Sequence, residues 1–416
     1  MAAERVIVGV DVGTTKICAL IGELDEENRL NVVGIGVTPA KGLRKGVVVD
    51  IDEAAASIKA AIEKTERVSG YKIGTALVGI AGGHITSQNS HGVVAISPQL
   101  HEVTQFDVDR AIEAARAVAV PHNREVLHVI PREYIVDGEE GIKDPLGMSG
   151  YRLEVVTHIV TGAMTALHNL EKSVQRAGIE IDDMVLEPMA SGEAVLSAAE
   201  RDLGVALVDI GGGTTDVAIY VNGGIYHTGV LPLGGNHLTN DIAVGLRAPF
   251  HVAEEMKITH GSALACKVKD DELVEMVTFE NAGGEAVSRR FLCDILQSRA
   301  QEIITLVAEE LQKSGYPGVL PAGVVLTGGC AELSDLAELA RNVLQMPVRV
   351  GRPERINGVT EEISGPAFAT SVGLLLWGLK NYDVVHTDVK RSANGKEPGI
   401  LNRIFSIFRV FLPASQ

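Results

Sequence analysis

Asp11 and Asp209 stand in the same setting at distant points of the chain. Residues 6–24 read VIVGVDVGTTKICALIGEL, and residues 205–223 read VALVDIGGGTTDVAIYVNG. Each segment has an apolar run, an aspartate, a glycine-rich turn with two threonines, and a second apolar run. Such a turn is suited to binding anions. Glycines let the backbone approach a ligand closely and adopt positive φ. Successive backbone N–H groups then point at phosphate oxygens. Threonine hydroxyls add donors, and Lys16 adds a positive charge. A carboxylate at the strand end is placed to hold Mg²⁺ through water, since Mg²⁺ takes few carboxylates and keeps several waters. One such turn is an ordinary hairpin. Two in register point to a nucleotide clamped between two similar domains.

The elements that must position these residues follow from the pattern. Apolar runs flanking a tight glycine turn predict β-hairpins. Residues 323–336, GVVLTGGCAELSDL, predict a strand, a Gly328-Gly329 turn and a helix with Glu332 and Asp335 early in it. That junction can receive a nucleoside against the backbone, although it is common in other proteins. Residues 51–70 have helical spacing and end at a glycine, and YKIGTALVGIAG returns as a strand. Residues 83–162 then interrupt the order. GVVAIS, EVLHVIPREYIV and RLEVVTHIV read as strands, and 104–120 as a helix with Thr104 at the N-cap and Asp107 three residues on. This predicts a compact insert of one helix on a small sheet.

The chain has 416 residues, 46 % hydrophobic and 22 % charged, which is enough for more than one globular domain. Its net charge of −17 argues against a general nucleic-acid binder. The four cysteines and twelve histidines show no metal-ligand spacing. No secretory leader pattern opens the chain and no apolar run reaches the ~20 residues of a spanning helix, so the expected location is cytoplasmic.

Residues 400–416, ILNRIFSIFRVFLPASQ, do not fit an acidic soluble body. At about 100° per residue, Ile400, Leu401, Ile404, Phe405, Ile407, Phe408, Phe411 and Leu412 share an arc of roughly 160°. Asn402, Arg403, Ser406 and Arg409 occupy the other side, and only Val410 breaks the separation. A helix of thirteen residues is about 20 Å long, too short to cross ~30 Å of hydrocarbon. It can lie in the interface, with Arg403 and Arg409 at anionic headgroups. Residues 381–399 read as a flexible linker. From residue 390 onward five Lys or Arg face one acid, Glu397. The alternatives are a helix docked on the body or one seated in a partner's groove; the linker and the charge reversal argue against docking on the body.

The motif order resembles the actin/DnaK-chaperone/sugar-kinase ATPase superfamily over about residues 5–380. The two hairpins are similar to its phosphate motifs, and LTGG to its adenosine motif. LEPMASGEAVL (186–196) and GPAFATSVGLLLWGL (365–379) resemble its two connecting helices, whose small residues permit a close crossing. The resemblance implies that Asp11 and Asp209 organise Mg²⁺ and water. It implies that Gly13, Thr14, Thr15 and Lys16 bind phosphate from one side, and Gly211, Gly212, Gly213 and Thr214 from the other. Glu187 positions a water, Gly234, Gly235 and Asn236 lead into a nucleotide-facing helix, and Gly328 and Gly329 meet the adenosine. Glu254 and Lys257 flank the adenosine; a solvated i,i+3 pair is the alternative.

The insert, the GGNHLTNDIA segment and the apolar C-terminal peptide resemble the FtsA family of bacterial cell-division actin homologues. That implies an α/β actin-like fold of two duplicated ribonuclease-H-like domains, with an FtsA-type 1C insert and a C-terminal amphipathic helix. The implied parts are 1A (1–82 and 163–202, with 365–380 returning to it), 1C (83–162), 2A (203–240 and 321–364), 2B (241–320), the linker and the membrane helix at 400–412. The implied function is an ATP-binding filament former that anchors FtsZ to the membrane at the division site and recruits later division proteins. The resemblance implies nucleotide binding with weak ATPase activity at most. The helix in 288–315 offers Arg289, Arg290 and Arg299 to the acidic FtsZ C-terminal peptide; ion pairs such as Arg299 with Glu302 are the alternative. Other readings are a PilM-type pilus-assembly protein and a small-molecule kinase.

Overall fold

The computed structural model describes residues 5–391, apart from 26, 28, 98–100, 118–119, 282, 317, 355, 359–360 and 382–388. The amphipathic segment 400–412 lies outside the described residues. Within the segment read as a linker, Val389–Arg391 forms a short antiparallel strand on Tyr71–Ile73. Among the described residues no helix is long and apolar enough to cross a membrane.

Two sheets repeat one another. The first runs Glu180–Leu186, Thr75–Ile80, Val6–Val12, Lys16–Leu24, Leu30–Pro39 and Asn357–Gly358. The second runs Val348–Val350, Val324–Thr327, Val205–Ile210, Thr215–Val221 and Gly224–Leu231. In each, the strand carrying the aspartate is central. It pairs antiparallel with the next strand through the glycine turn, and parallel with a later strand on its other side. Both central strands are buried along their whole length, as their unbroken apolar runs require. Alternate residues serve opposite faces. Val205 and Leu207 pack toward the first domain's core, and Ala206, Val208 and Ile210 toward the second's.

The two connecting helices form as expected, Glu187–Val195 and Ala369–Lys380. They cross at Gly373, where an added Cβ would lie 1.9 Å from the Ala190 carbonyl oxygen. Gly373→Ala sets two effects against each other. Alanine favours a helix interior by about 1 kcal/mol, but here its methyl meets backbone that cannot swing away. Overpacking of this kind costs about 3 kcal/mol, so the clash wins. Chemical denaturation should show a net loss of about 2 kcal/mol; an equal or higher midpoint would contradict the close crossing.

The insert is a four-stranded antiparallel sheet of Glu139–Ile142, Arg124–Val136, Arg152–Ala163 and Ile85–Ala95. Its first strand begins earlier than the apolar run suggests, and the short Glu139–Ile142 strand has no clear sequence signal. The helix Gln105–Arg116 packs so closely that a Cβ at Gly92 would lie 2.0 Å from the Ala111 carbonyl oxygen. Asp107 accepts from the Thr104 amide at 3.1 Å and from its hydroxyl at 2.6 Å, closing the predicted cap. The insert also reaches the second domain. Ser87 donates to the Thr228 carbonyl at 2.8 Å, and His158 Nε2 lies 2.9 Å from the Thr228 hydroxyl.

Candidate functional site

Both glycine turns open on one cavity of about 340 Å³, within the range of small-molecule sites. Asp11, Gly13, Thr14, Thr15, Lys16 and Glu187 line it from the first domain. Asp209, Gly211, Gly212, Gly213 and Thr214 line it from the second, with Gly235, Asn236, Glu254, Lys257, Gly328 and Gly329 farther along. The hairpin tips touch. A Cβ at Gly212 would lie 1.9 Å from the Thr15 hydroxyl oxygen, and one at Gly213 would lie 2.6 Å from that of Thr14. A side chain at either position would force the facing threonine to move.

Backbone bonds shape the second turn. The Gly235 amide donates to the Gly211 carbonyl at 2.9 Å, and the Asn236 amide to the Gly212 carbonyl at 2.8 Å. The helix Gly235–Gly245 therefore starts at the turn, with its N-terminal dipole toward the cavity. Gly234 packs behind, where a Cβ would meet the Gly211 carbonyl oxygen at 2.5 Å. Gly328 has φ +83°, and a Cβ there would lie 2.3 Å from Asp209 Oδ1. Lys16 lines the cavity while its Nζ donates to the Ala367 carbonyl and lies 3.6 Å from the Phe368 ring centroid.

Glu254 and Lys257 form the i,i+3 pair at 2.7 Å, but the pair faces the cavity rather than open solvent. Lys257 also donates to the Thr239 hydroxyl at 2.9 Å. After Gly329 the chain makes a short 3₁₀ turn to Glu332, and the α-helix starts only at Leu336. Glu332 lines the cavity. Asp335 turns away to Ser262 at 2.7 Å and Lys267 at 2.8 Å.

The family model described as SHS2 domain inserted in FTSA matches residues 82–161, the four-stranded insert. The model described as Cell division protein FtsA matches residues 206–373. The Cell division protein FtsA of Pseudomonas aeruginosa is 46 % identical over 376 residues, 90 % of each chain. That of Bacillus subtilis is 41 % identical, covering 92 % of this chain and 85 % of its own. That of Escherichia coli is 36 % identical over 98 % of both. The chain belongs to the FtsA family of cell-division proteins.

Solved structures agree with an actin-like fold for this FtsA-family chain. Spiroplasma citri MreB5 bound to ADP matches with TM-score 0.53 at 16 % identity, over 91 % of this chain and 98 % of its own. The PilM–PilN type IV pilus biogenesis complex matches with TM-score 0.64 over 90 % of this chain and 98 % of its own. Its 18 % identity carries fold alone, so the PilM-type reading is not favoured.

The electrostatics of the FtsA-family site centre on buried carboxylates. Burial, with the neighbouring Asp11 charge, pushes Asp209 up to about 6. Burial raises Asp11 and Glu187 as well, and nearby carboxylates raise Glu187 further. Sequence reasoning missed Asp216. It is the last residue of DIGGGTTD, directly opposite Asp209 in the hairpin. Burial and Asp209 push it up to about 8, and its Oδ1 is buried with no hydrogen-bond partner. This concentration of carboxylate charge fits a hard cation. Among the described residues no three His, Cys, Asp or Glu side chains could hold one directly. An ion keeping waters and sharing phosphate oxygens matches those donors.

The sign of the pH dependence follows. Asp216 is raised to about 8 and Asp183, mainly by burial, to about 7. Between their unfolded and folded values the native state holds more protons, so stability falls as pH rises. Burial lowers His84 and His128 to about 4 and His158 to about 3, which acts oppositely and fades as pH rises past about 6.5. From pH 6.5 to 8 the protein without nucleotide should lose about 1 kcal/mol on balance. Thermal unfolding in chelator would show it, and Asp216→Asn should flatten most of the slope. Stability that rises over this window would contradict the assignment.

The three candidate arginines are engaged within their own domain. Arg289 pairs with Glu272 at 2.6 Å, Arg290 with Asp270 at 2.6 Å, and Arg299 with Asp241 at 2.6 Å as well as Glu302.

Proposed function

We propose that this FtsA-family chain binds ATP with Mg²⁺ between its two hairpins and polymerises head to tail. In this reading it anchors FtsZ filaments to the cytoplasmic face of the membrane and recruits later divisome proteins. The observation that carries the reading is the single cavity lined by both glycine turns, the Glu254–Lys257 pair and Gly328-Gly329.

Backbone amides and the Thr14, Thr15 and Thr214 hydroxyls receive the phosphates. Asp11 and Asp209 hold the waters of the ion, with Glu187 beside them. Mg²⁺ when bound would neutralise phosphate charge and orient the triphosphate. Burial, with the Asp11, Asp216 and Asp209 charges, raises Glu187 well above the usual carboxylate range. The site is read as one for binding, with weak ATPase turnover at most. Gly328-Gly329 and the Glu254–Lys257 pair receive the nucleoside.

Filament contacts run between the insert and the outer part of the second domain. An acidic FtsZ peptide would reach Arg289, Arg290 or Arg299 by exchanging with their present carboxylate partners. The segment 400–412 supplies the lipid contact. The alignment with the Escherichia coli protein covers 98 % of this chain and so runs into that segment.

Co-sedimentation with anionic vesicles and purified FtsZ tests the whole reading. With ATP and Mg²⁺, FtsZ should pellet with vesicles only when this chain is present. FtsZ remaining in the supernatant would overturn it, and ADP production stimulated by a sugar would favour a kinase instead.

A further inference from the structure

The crossing of the two connecting helices does more than join the domains. Ser191 on the first helix donates to Asp209 Oδ2 at 2.6 Å. Ser371 on the second donates to Asp11 Oδ2 at 2.8 Å. Thr370 lies 2.9 Å from the Ser191 hydroxyl and 3.3 Å from Asp209 Oδ2. Each hydroxyl carries one proton. Ser191 places its proton on Asp209, so Thr370 donates to Ser191, and the three groups form a chain ending at the carboxylate. Both serines are fully buried, and Thr370 lines the cavity. Each aspartate thus receives a hydroxyl from a different helix. The contact at Gly373 and Ala190 fixes how those hydroxyls stand relative to one another.

We propose that Ser191, Thr370 and Ser371 are positioning residues for Mg²⁺·nucleotide binding, holding Asp209 and Asp11 oriented for the ion's waters. The proposal rests on the nucleotide reading of the cavity. A carboxylate oxygen that accepts a hydroxyl has its rotamer fixed, and its other oxygen is directed elsewhere. Asp209 Oδ2 takes the hydroxyls, while Oδ1 lies against Gly328, where only a glycine leaves room. Helix rotation at the crossing would carry the hydroxyls with it, so the aspartates follow the angle between the domains. Neither serine lines the cavity, so a role limited to packing predicts equal effects with and without the ion.

The test compares ATP affinity in Mg²⁺ and in EDTA for the full chain and for Ser191→Ala, Ser371→Ala and Thr370→Val. Each substitution removes a hydroxyl with little change of volume. A hydrogen bond to a charged group contributes enough to change an equilibrium roughly tenfold or more. The gain in affinity that Mg²⁺ gives should therefore shrink about tenfold in Ser191→Ala and Ser371→Ala, with EDTA affinity unchanged. Thr370→Val should lose less, because its hydroxyl reaches Asp209 mainly through Ser191. Thermal unfolding without ligand checks folding, and any one folded variant decides the outcome. Equal loss in both conditions, or no loss, overturns the positioning role and leaves the nucleotide reading standing. A wild-type chain that binds no ATP in either condition overturns both.

Discussion

Deleting residues 400–416 is expected to release the protein from anionic vesicles. Wound as a helix, the segment would set Ile, Leu and Phe on one face and Arg403 and Arg409 on the other, on a chain of net charge −17. Without it the body loses two cations and has only electrostatic repulsion toward an anionic surface. One short interfacial helix binds modestly. Several on one polymer bind far better, since each further contact is intramolecular, with gains of roughly 10²–10⁴. The expected loss in sedimentation under polymerising conditions is therefore at least about a hundredfold. Phe405→Glu with Phe408→Glu should reproduce it without shortening the chain. A truncated protein that still pellets with vesicles would refute the anchor.

Asp209→Ala is expected to weaken Mg²⁺·ATP binding by at least about tenfold, each 1.4 kcal/mol being one decade. Asp209 is the carboxylate opposite Asp216, bonded to Ser191 and pressed on Gly328. Its removal also relieves charge repulsion in the empty site. Asp209→Asn keeps the shape and the hydroxyl acceptor, so that variant should unfold at a higher temperature than wild type without nucleotide while still failing to bind Mg²⁺·ATP. Binding and stability then move in opposite directions, which a merely misfolded variant cannot do. Unchanged ATP affinity in a titration would count against the site.

The parts legible in the sequence were those specified locally. Both hairpins are short apolar runs around glycine turns, and each strand–turn–strand can be read without its neighbours. The helix Ile51–Ser69 announces itself through its apolar spacing and through Gly70, which stands at φ 75°, and the structure adds an Asp50 cap that accepts from the Asp52 and Glu53 amides. What the sequence hid was contact between distant segments. Ser371 touches Asp11 across most of the chain, and nothing near either residue announces it. Arg289, Arg290 and Arg299 look like free cations on a helix, but Glu272, Asp270 and Asp241 come from neighbouring elements. Asp216 was readable, since it closes the DIGGGTTD turn, yet its importance comes from burial beside Asp209. The strand Val389–Arg391 is too short and polar to stand out from the segment around it.

Determining the structure of the protein with Mg²⁺ and a non-hydrolysable ATP analogue tests the central claim most directly. The account predicts a triphosphate held between Gly13–Thr15 and Gly211–Thr214, the ion's waters on Asp11 and Asp209, and the nucleoside against Gly328-Gly329 and the Glu254–Lys257 pair. A saturated complex with the analogue bound elsewhere, or with Thr15 still pressed on Gly212 and no density in the cavity, would contradict it.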